Sequence, residues 1–194
     1  LSKIQVDTID TRSGTSTMQI GSTNTTTITL GVSGDTINVP SGVTIANAGT
    51  ATGFGESNTP NFHAKTSSQS ISASTNTTVI YTAEDFDTAN LYNTSDGKFT
   101  VTSDYTGKYF FYAAVKYASS SISRNDITIN KNGTAVLRTE FGNSTSYPTV
   151  LVSGMINLSS ASDYVTVVVN QNDGTKSLSG ESEGNFFGGF RVTS

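Results

Sequence analysis

Apolar residues recur at every second position through much of the chain from residue 60 onward. In residues 108–117, Tyr109, Phe111, Ala113, Val115 and Tyr117 fall on one face of an extended strand, and Phe110, Tyr112 and Ala114 on the other. An antiparallel strand with one solvated face alternates apolar with polar. A strand aromatic on both faces therefore predicts two covers: the chain's own core, and a second sheet or another copy of the chain. The run Val165-Thr-Val-Val-Val169 has the same two-faced character. Short strands are expected at 77–82, with Val79 and Tyr81 on one side, and around Phe99, ahead of a turn at 104–107. Residues 150–158 and 164–170 read as apolar strands. Residues 186–192 close the sheet, where Gly188 and Gly189 permit close backbone approach. Residues 127–131 and 135–139 flank Asn132-Gly133, whose positive φ angles suit a type I′ hairpin turn. Polar connections are expected at 84–96, 118–125 and 142–147.

The first 55 residues follow another rhythm. Apolar doublets recur at Ile4/Val6, Met18/Ile20, Ile28/Leu30, Ile37/Val39 and Val43/Ile45, punctuated by Gly21, Gly31, Gly34 and Gly42. Each unit is too short to close a core alone, so the pattern predicts short strands stacked along an axis. Ordering such a segment costs backbone entropy that its few apolar side chains do not offset. Intertwined chains would supply both strand partners and a shared apolar axis. Residues 49–60, with Phe54 among Gly53, Gly55 and Pro60, read as the junction. The expected organisation is a repetitive β segment with its junction over 1–55 and a globular head over 56–194.

Composition narrows the class. Charged residues make up 13% of the chain, Thr and Ser are abundant, and helix formers are sparse, so an all-β protein is expected. Net charge is −4, with no basic patch to neutralise phosphates, which argues against nucleic-acid binding. No apolar run approaches the roughly 20 residues of a membrane helix. Without Cys, no disulfide contributes. No signal peptide is visible, and an opening on Leu1 leaves room for a longer parent protein.

Several segments resemble a known family in order. They are Asn61-Phe-His-Ala64, Phe86 in Asp85-Phe-Asp87, Tyr92-Asn93, Gly97-Lys-Phe99 and Gly107-Lys-Tyr-Phe-Phe111. Downstream come Ile127-Thr-Ile129 ending in Lys131-Asn-Gly133, Ile156-Asn-Leu158 with Asp163-Tyr-Val-Thr-Val167, and Phe187-Gly-Gly-Phe190. Together they resemble the globular head of complement component one q, whose jelly roll is shared with tumour necrosis factor. Ser162 and Gly188 depart from the family pattern, which has Gly and Ser there. The resemblance implies a homotrimeric jelly-roll β-sandwich that binds ligands through loops and surface, without catalysis. Residues 34–45 and 49–55 resemble the shafts of bacteriophage tail fibres.

The residues expected in the core or the trimer interface are Tyr109, Phe110, Phe111, Tyr112, Val165, Val167, Phe187 and Phe190. Which face serves which purpose stays open. His63 is the single histidine, without a Gly-x-Ser-x-Gly motif or Cys partners for zinc, and is expected on the surface or at the trimer rim. Glu84, Asp85 and Asp87 are the candidates for Ca²⁺, but lack an Asp-x-Asp-x-Asp-Gly loop, so no cofactor is expected. Glu181 and Glu183 are expected to pair with Lys176 or Arg191. Loop Tyr and amide side chains suit ligand contact. Asn143 and Tyr147, with Asn172 and Asp173, are the receptor-contact candidates. The expected function is the distal receptor-binding tip of a phage tail fibre, exposed on the virion, contacting a host-surface glycan or protein and joined to an upstream shaft. The alternatives are a trimeric head fibre or capsid-decorating protein, and a secreted trimeric ligand-recognition head of a cellular organism.

Overall fold

A computed structural model describes residue 20 and residues 23–46, 59–118, 121–144 and 146–193. The chain divides into two units, Leu1–Thr52 and Gly53–Ser194. In the first unit the described residues form turns at Thr23-Asn24, Ser33-Gly34 and Ser41-Gly42, with no strand or helix among them. Ile28, Leu30, Ile37, Val39, Val43 and Ile45 are all exposed. The short strands expected for these doublets are not formed among the described residues, which have no ladder partner in the single chain. Ile4/Val6, Met18 and the junction around Phe54 lie outside the described residues.

The second unit is a sandwich of antiparallel strands. They are β1 (Asn61–Lys65), β2 (Ser70–Ile71), β3 (Thr77–Thr78), β4 (Ala83–Asp87), β5 (Tyr92–Asn93), β6 (Lys98–Thr100), β7 (Gly107–Lys116) and β8 (Ile122–Lys131). Then follow β9 (Thr134–Ser144), β10 (Thr149–Leu158), β11 (Tyr164–Gln171), β12 (Lys176–Ser177) and β13 (Phe186–Thr193). One sheet has the order β10-β7-β13-β1-β4 and the other β5-β6-β11-β8-β9, with β3 also on β11 and a small β12-β2 pair apart.

The two inner faces supply the core. Phe62, Tyr109, Phe111 and Phe187 come from the first sheet, and Phe99, Ile127, Ile129, Val165, Val167 and Val169 from the second. Phe62 stacks on Phe99 at 4.6 Å and meets Phe187 edge-on at 4.9 Å, geometries that aromatic quadrupoles favour. Phe187 and Gly189 face Ala113 and Phe111 across the β7–β13 ladder. A Cβ on Gly189 would stand 2.5 Å from the Phe111 ring, so the ring takes the space a side chain would fill. The Asn132-Gly133 turn has φ of 49° and 82°, as its sequence requires.

Three expected connections are partly strand. The segment 84–96 carries all but the first residue of β4 and all of β5. Strand β8 starts at Ile122, within the segment expected to be loop, and β9 runs to Ser144. In the last two, ladder pairing of Ile122 with Ser144 and Arg124 with Gly142 extends a hairpin through polar residues. The expected strand at 77–82 is reduced to β3, although Val79 and Tyr81 are buried. The expected turn at 104–107 begins as a 3₁₀ turn, Ser103–Tyr105.

Candidate binding surfaces

Three surfaces of the sandwich carry side chains suited to binding. The first is one end of the molecule. Strand β8 pairs Ile122 with Ser144 on one flank and Asn125 with Gln171 on the other. The β9–β10 loop and the loop after β11 therefore share an end. At the opposite end β1 begins, and Arg191 N–H donates to the Pro60 carbonyl at 3.0 Å. Asn143, Tyr147, Asn172 and Asp173 thus lie together at the end away from Pro60.

Their situations differ. Tyr147 is 57% exposed, and both Asn143 and Tyr147 have positive φ. Asn172 Oδ1 accepts the Arg124 N–H at 3.1 Å, and the Asp173 carboxylate accepts from the Ser123 hydroxyl and N–H. The Ser123 hydroxyl, then its amide, hold the Asp173 pKa below the usual carboxylate value. Buried Gln171 anchors the same loop, donating to Ile71 O at 3.0 Å and Gly174 O at 2.6 Å and accepting from Asp173 N–H at 2.7 Å. Asn172 and Asp173 fix the loop to β8, while Tyr147 is displayed to solvent.

The second surface is the outer face of the first sheet. The ladders align Met155, Phe110, Phe190 and Asn61 in one row, and Ser153, Tyr112, Gly188 and His63 in the next. Phe110 lies 5.6 Å from Phe190. His63 sits about equally far from Phe86 (6.1 Å), Tyr112 (6.1 Å) and Phe186 (5.9 Å). Phe86, Leu151, Met155 and Phe190 are exposed, giving the contiguous apolar patch that marks interaction sites. The open question of faces is thereby answered for the single chain. Tyr109, Phe111, Val165, Val167 and Phe187 are core, and Phe110, Tyr112 and Phe190 face outward.

The charged candidates disperse rather than converge. Asp85 Oδ2 lies 2.8 Å from His63 Nδ1, and Oδ1 lies 2.8 Å from Lys65 Nζ. Lys65 chiefly, opposed by desolvation and aided by His63, holds the Asp85 pKa below its ordinary value. Asp87 turns the other way and accepts from the Ala89, Leu91 and Tyr92 N–H groups at 3.2, 2.7 and 2.7 Å. Glu84 stands apart, its pKa raised by desolvation and by Asp87. Among the described residues no group of three His, Cys, Asp or Glu side chains could hold a metal ion. Glu181 pairs with Lys116 instead of Lys176 or Arg191. Arg191 donates instead to Thr106 O at 2.6 Å and, at a long 3.5 Å, to Asp104 O, because β13 lies beside β7 and its approach.

The third surface escapes sequence reading. On the outer face of the second sheet, Asn76, Asp96, Lys98, Asn130, Tyr164 and Thr166 line an open groove of about 430 Å³. Its residues come from four separated segments, and only the pairing of β3 and β6 with β11, and of β11 with β8, assembles them.

A family model described as the C1q domain matches residues 61–192. No curated protein matches the chain. Among solved structures, murine APRIL at pH 5.0 is 17% identical, with TM-score 0.54, covering 69% of this chain and 98% of its own. Eiger TNF from S. frugiperda is 14% identical, with TM-score 0.51, covering 70% of this chain and 92% of its own. The globular domain of zebrafish complement 1qA protein is 18% identical, with TM-score 0.48, covering 69% of this chain and 98% of its own. At these identities the structural likeness concerns the fold.

Proposed function

The chain belongs to the C1q domain family, and on that premise we propose that it is a homotrimeric ligand-recognition head that acts by binding and not by catalysis. The observation that carries this reading is the outer face of the first sheet. A polar chain that exposes Phe86, Phe190, Leu151 and Met155 on one sheet has a surface built to be covered. A second and third copy would cover it, as the two-faced pattern of β7 requires. The loop end away from Pro60, with Asn143 and Tyr147 displayed and Asn172 and Asp173 shaping the loop beside them, would then be presented three times, which raises avidity for a surface ligand.

The exposed apolar doublets of residues 28–45 support a finer reading. They favour carriage of the head, residues 56–194, on an intertwined β shaft formed by residues 1–55 of each copy, as the tip of a phage tail fibre exposed on the virion. The partner would then be a host-surface glycan or protein. A secreted ligand-recognition head of a cellular organism fits the family equally well. Light scattering of the purified chain should give about three times the 20.3 kDa protomer mass, and a monomer at micromolar concentration would overturn the trimer. Gold-labelled antibody on purified virions separates the two carriers. Replacing Asn143, Tyr147, Asn172 and Asp173 by Ala together should abolish adhesion of the folded trimer to its target cells. Undiminished adhesion would remove these loops from the contact.

A further inference from the structure

We propose that the groove on the outer face of the second sheet binds a neutral saccharide. Thr166 faces Asn130 across the β8–β11 ladder, and Thr78 faces Val168 across the β3–β11 ladder. These register positions set hydroxyl, amide and methyl groups side by side on one face. Asn130 is under-committed: its Nδ2 makes one long hydrogen bond, 3.5 Å to Gly133 O, and its Oδ1 has no partner. Rotation of this amide offers a ligand both a donor and an acceptor. Asn76 Oδ1 accepts from Asn170 Nδ2 at 2.8 Å, which orients the amide and leaves its own N–H donors for a ligand.

The chemistry of the groove selects the ligand class. Lys98 Nζ lies 3.0 Å from Asp96 Oδ2 and 5.3 Å from the centre of the Tyr164 ring, so the two charges at the site cancel. An anionic ligand would have to break that pair. Strand β11 is bonded to β8 on one side and to β3 and β6 on the other. An extended peptide therefore finds no free ladder edge to join. The lining is open and polar, unlike the enclosed apolar pockets that hold hydrophobic small molecules. Hydroxyl and amide groups beside one aromatic ring and the Val168 methyls match a polyhydroxylated ring, whose hydroxyls exchange hydrogen bonds while its C–H face packs on the apolar surface. The groove lies on a sheet face, apart from the loop residues assigned to cell contact, so this inference and the adhesive reading fail separately.

The test is a printed array of neutral oligosaccharides ending in hexose, N-acetylhexosamine or deoxyhexose, probed with the full chain and followed by saturation-transfer NMR on any bound sugar. At least one neutral sugar should bind. Tyr164→Ala, and Asn76→Ala combined with Asn130→Ala, should weaken that binding about tenfold or more, the scale of one or two lost hydrogen bonds. Glu183→Gln, an exposed position ahead of β13 in the first sheet, should leave it unchanged. Thr166→Val is nearly isosteric and decides the matter should a larger truncation unfold the chain; it should weaken binding several-fold at an unchanged melting temperature. Absence of neutral-sugar binding, binding of acidic sugars alone, or wild-type binding by the folded Thr166→Val protein would each overturn the proposal.

Discussion

At the scale of single residues, space and charge make opposite demands on neighbouring positions. A Cβ on Gly188 would overlap Tyr112 Oη and stand 2.9 Å from Phe62 O, while one on Gly189 would meet the Phe111 ring on the inner face. Either Ala substitution overpacks, and each should cost about 1–3 kcal/mol, measurable as a lower chemical-denaturation midpoint. The carboxylates give a second expectation. Asp85, Asp173 and Glu140 have folded pKa values below their ordinary ones, through Lys65, Ser123 and Arg124 respectively. Their contribution is complete above the unfolded values, about pH 4, and is lost as pH falls through the folded ones. Thermal stability should therefore hold from neutral pH down to about 4 and decline below it. Asp173→Asn should flatten part of that decline. Burial raises the pKa of Tyr81, Tyr92, Tyr109, Tyr112 and Tyr117, that of Tyr109 to about 12. For these phenols, stability is lost only as pH rises above the unfolded value of about 10. A spectrophotometric titration of the native protein should show them ionising late, and together with unfolding.

At the scale of elements, β7 is the strand on which core and surface are decided. Phe111 is fully buried, so Phe111→Ala should destabilise the sandwich by about 3–5 kcal/mol. Phe110, one residue earlier, points to the outer face beside Phe190, and Phe110→Ala should weaken self-association more than folding. Equal unfolding free-energy changes for the two variants would contradict this division. The β8–β9 hairpin gives a similar contrast. Asn132 supplies a left-handed turn residue, but its side chain also donates to Asp163 Oδ1 at 2.7 Å and accepts from Tyr164 N–H at 2.9 Å. Asn132→Gly keeps the backbone conformation and loses these ties to β11. Asn132→Ala loses both and should be the less stable variant in urea.

At the scale of the whole molecule, the proposed trimer makes a prediction about the outer aromatic face. Met155→Glu with Phe190→Glu places two charges on that face without touching the core. The double variant should elute as a monomer that keeps the β-sheet circular-dichroism spectrum of the wild type. A variant that remains a trimer would show that another surface holds the copies together. The pairing of β1 with β13 also fixes polarity: Asn61 sits opposite Phe190, so the start and the close of the sandwich share one end. Loops carrying Tyr147 and Asp173 occupy the other end.

The sequence alone determined the period-two strands, the Asn132-Gly133 hairpin, the small residues at Gly188 and Gly189, and the ordered motifs of the C1q domain. Each is local, because side-chain alternation and φ preference act over a few residues. Several things were decided only by tertiary structure. Strand β7 carries aromatic residues on both faces, and only its position between β10 and β13 makes Phe111 core and Phe110 surface. Glu84, Asp85 and Asp87 are neighbours in sequence, yet a register shift where β1 meets β4 and the backbone capping by Asp87 send them to different partners. The groove of Asn76, Lys98, Asn130 and Tyr164 has no sequence signature. Pairing of strands far apart along the chain creates it, and contacts of that kind depend on the whole fold, not on any one stretch of residues.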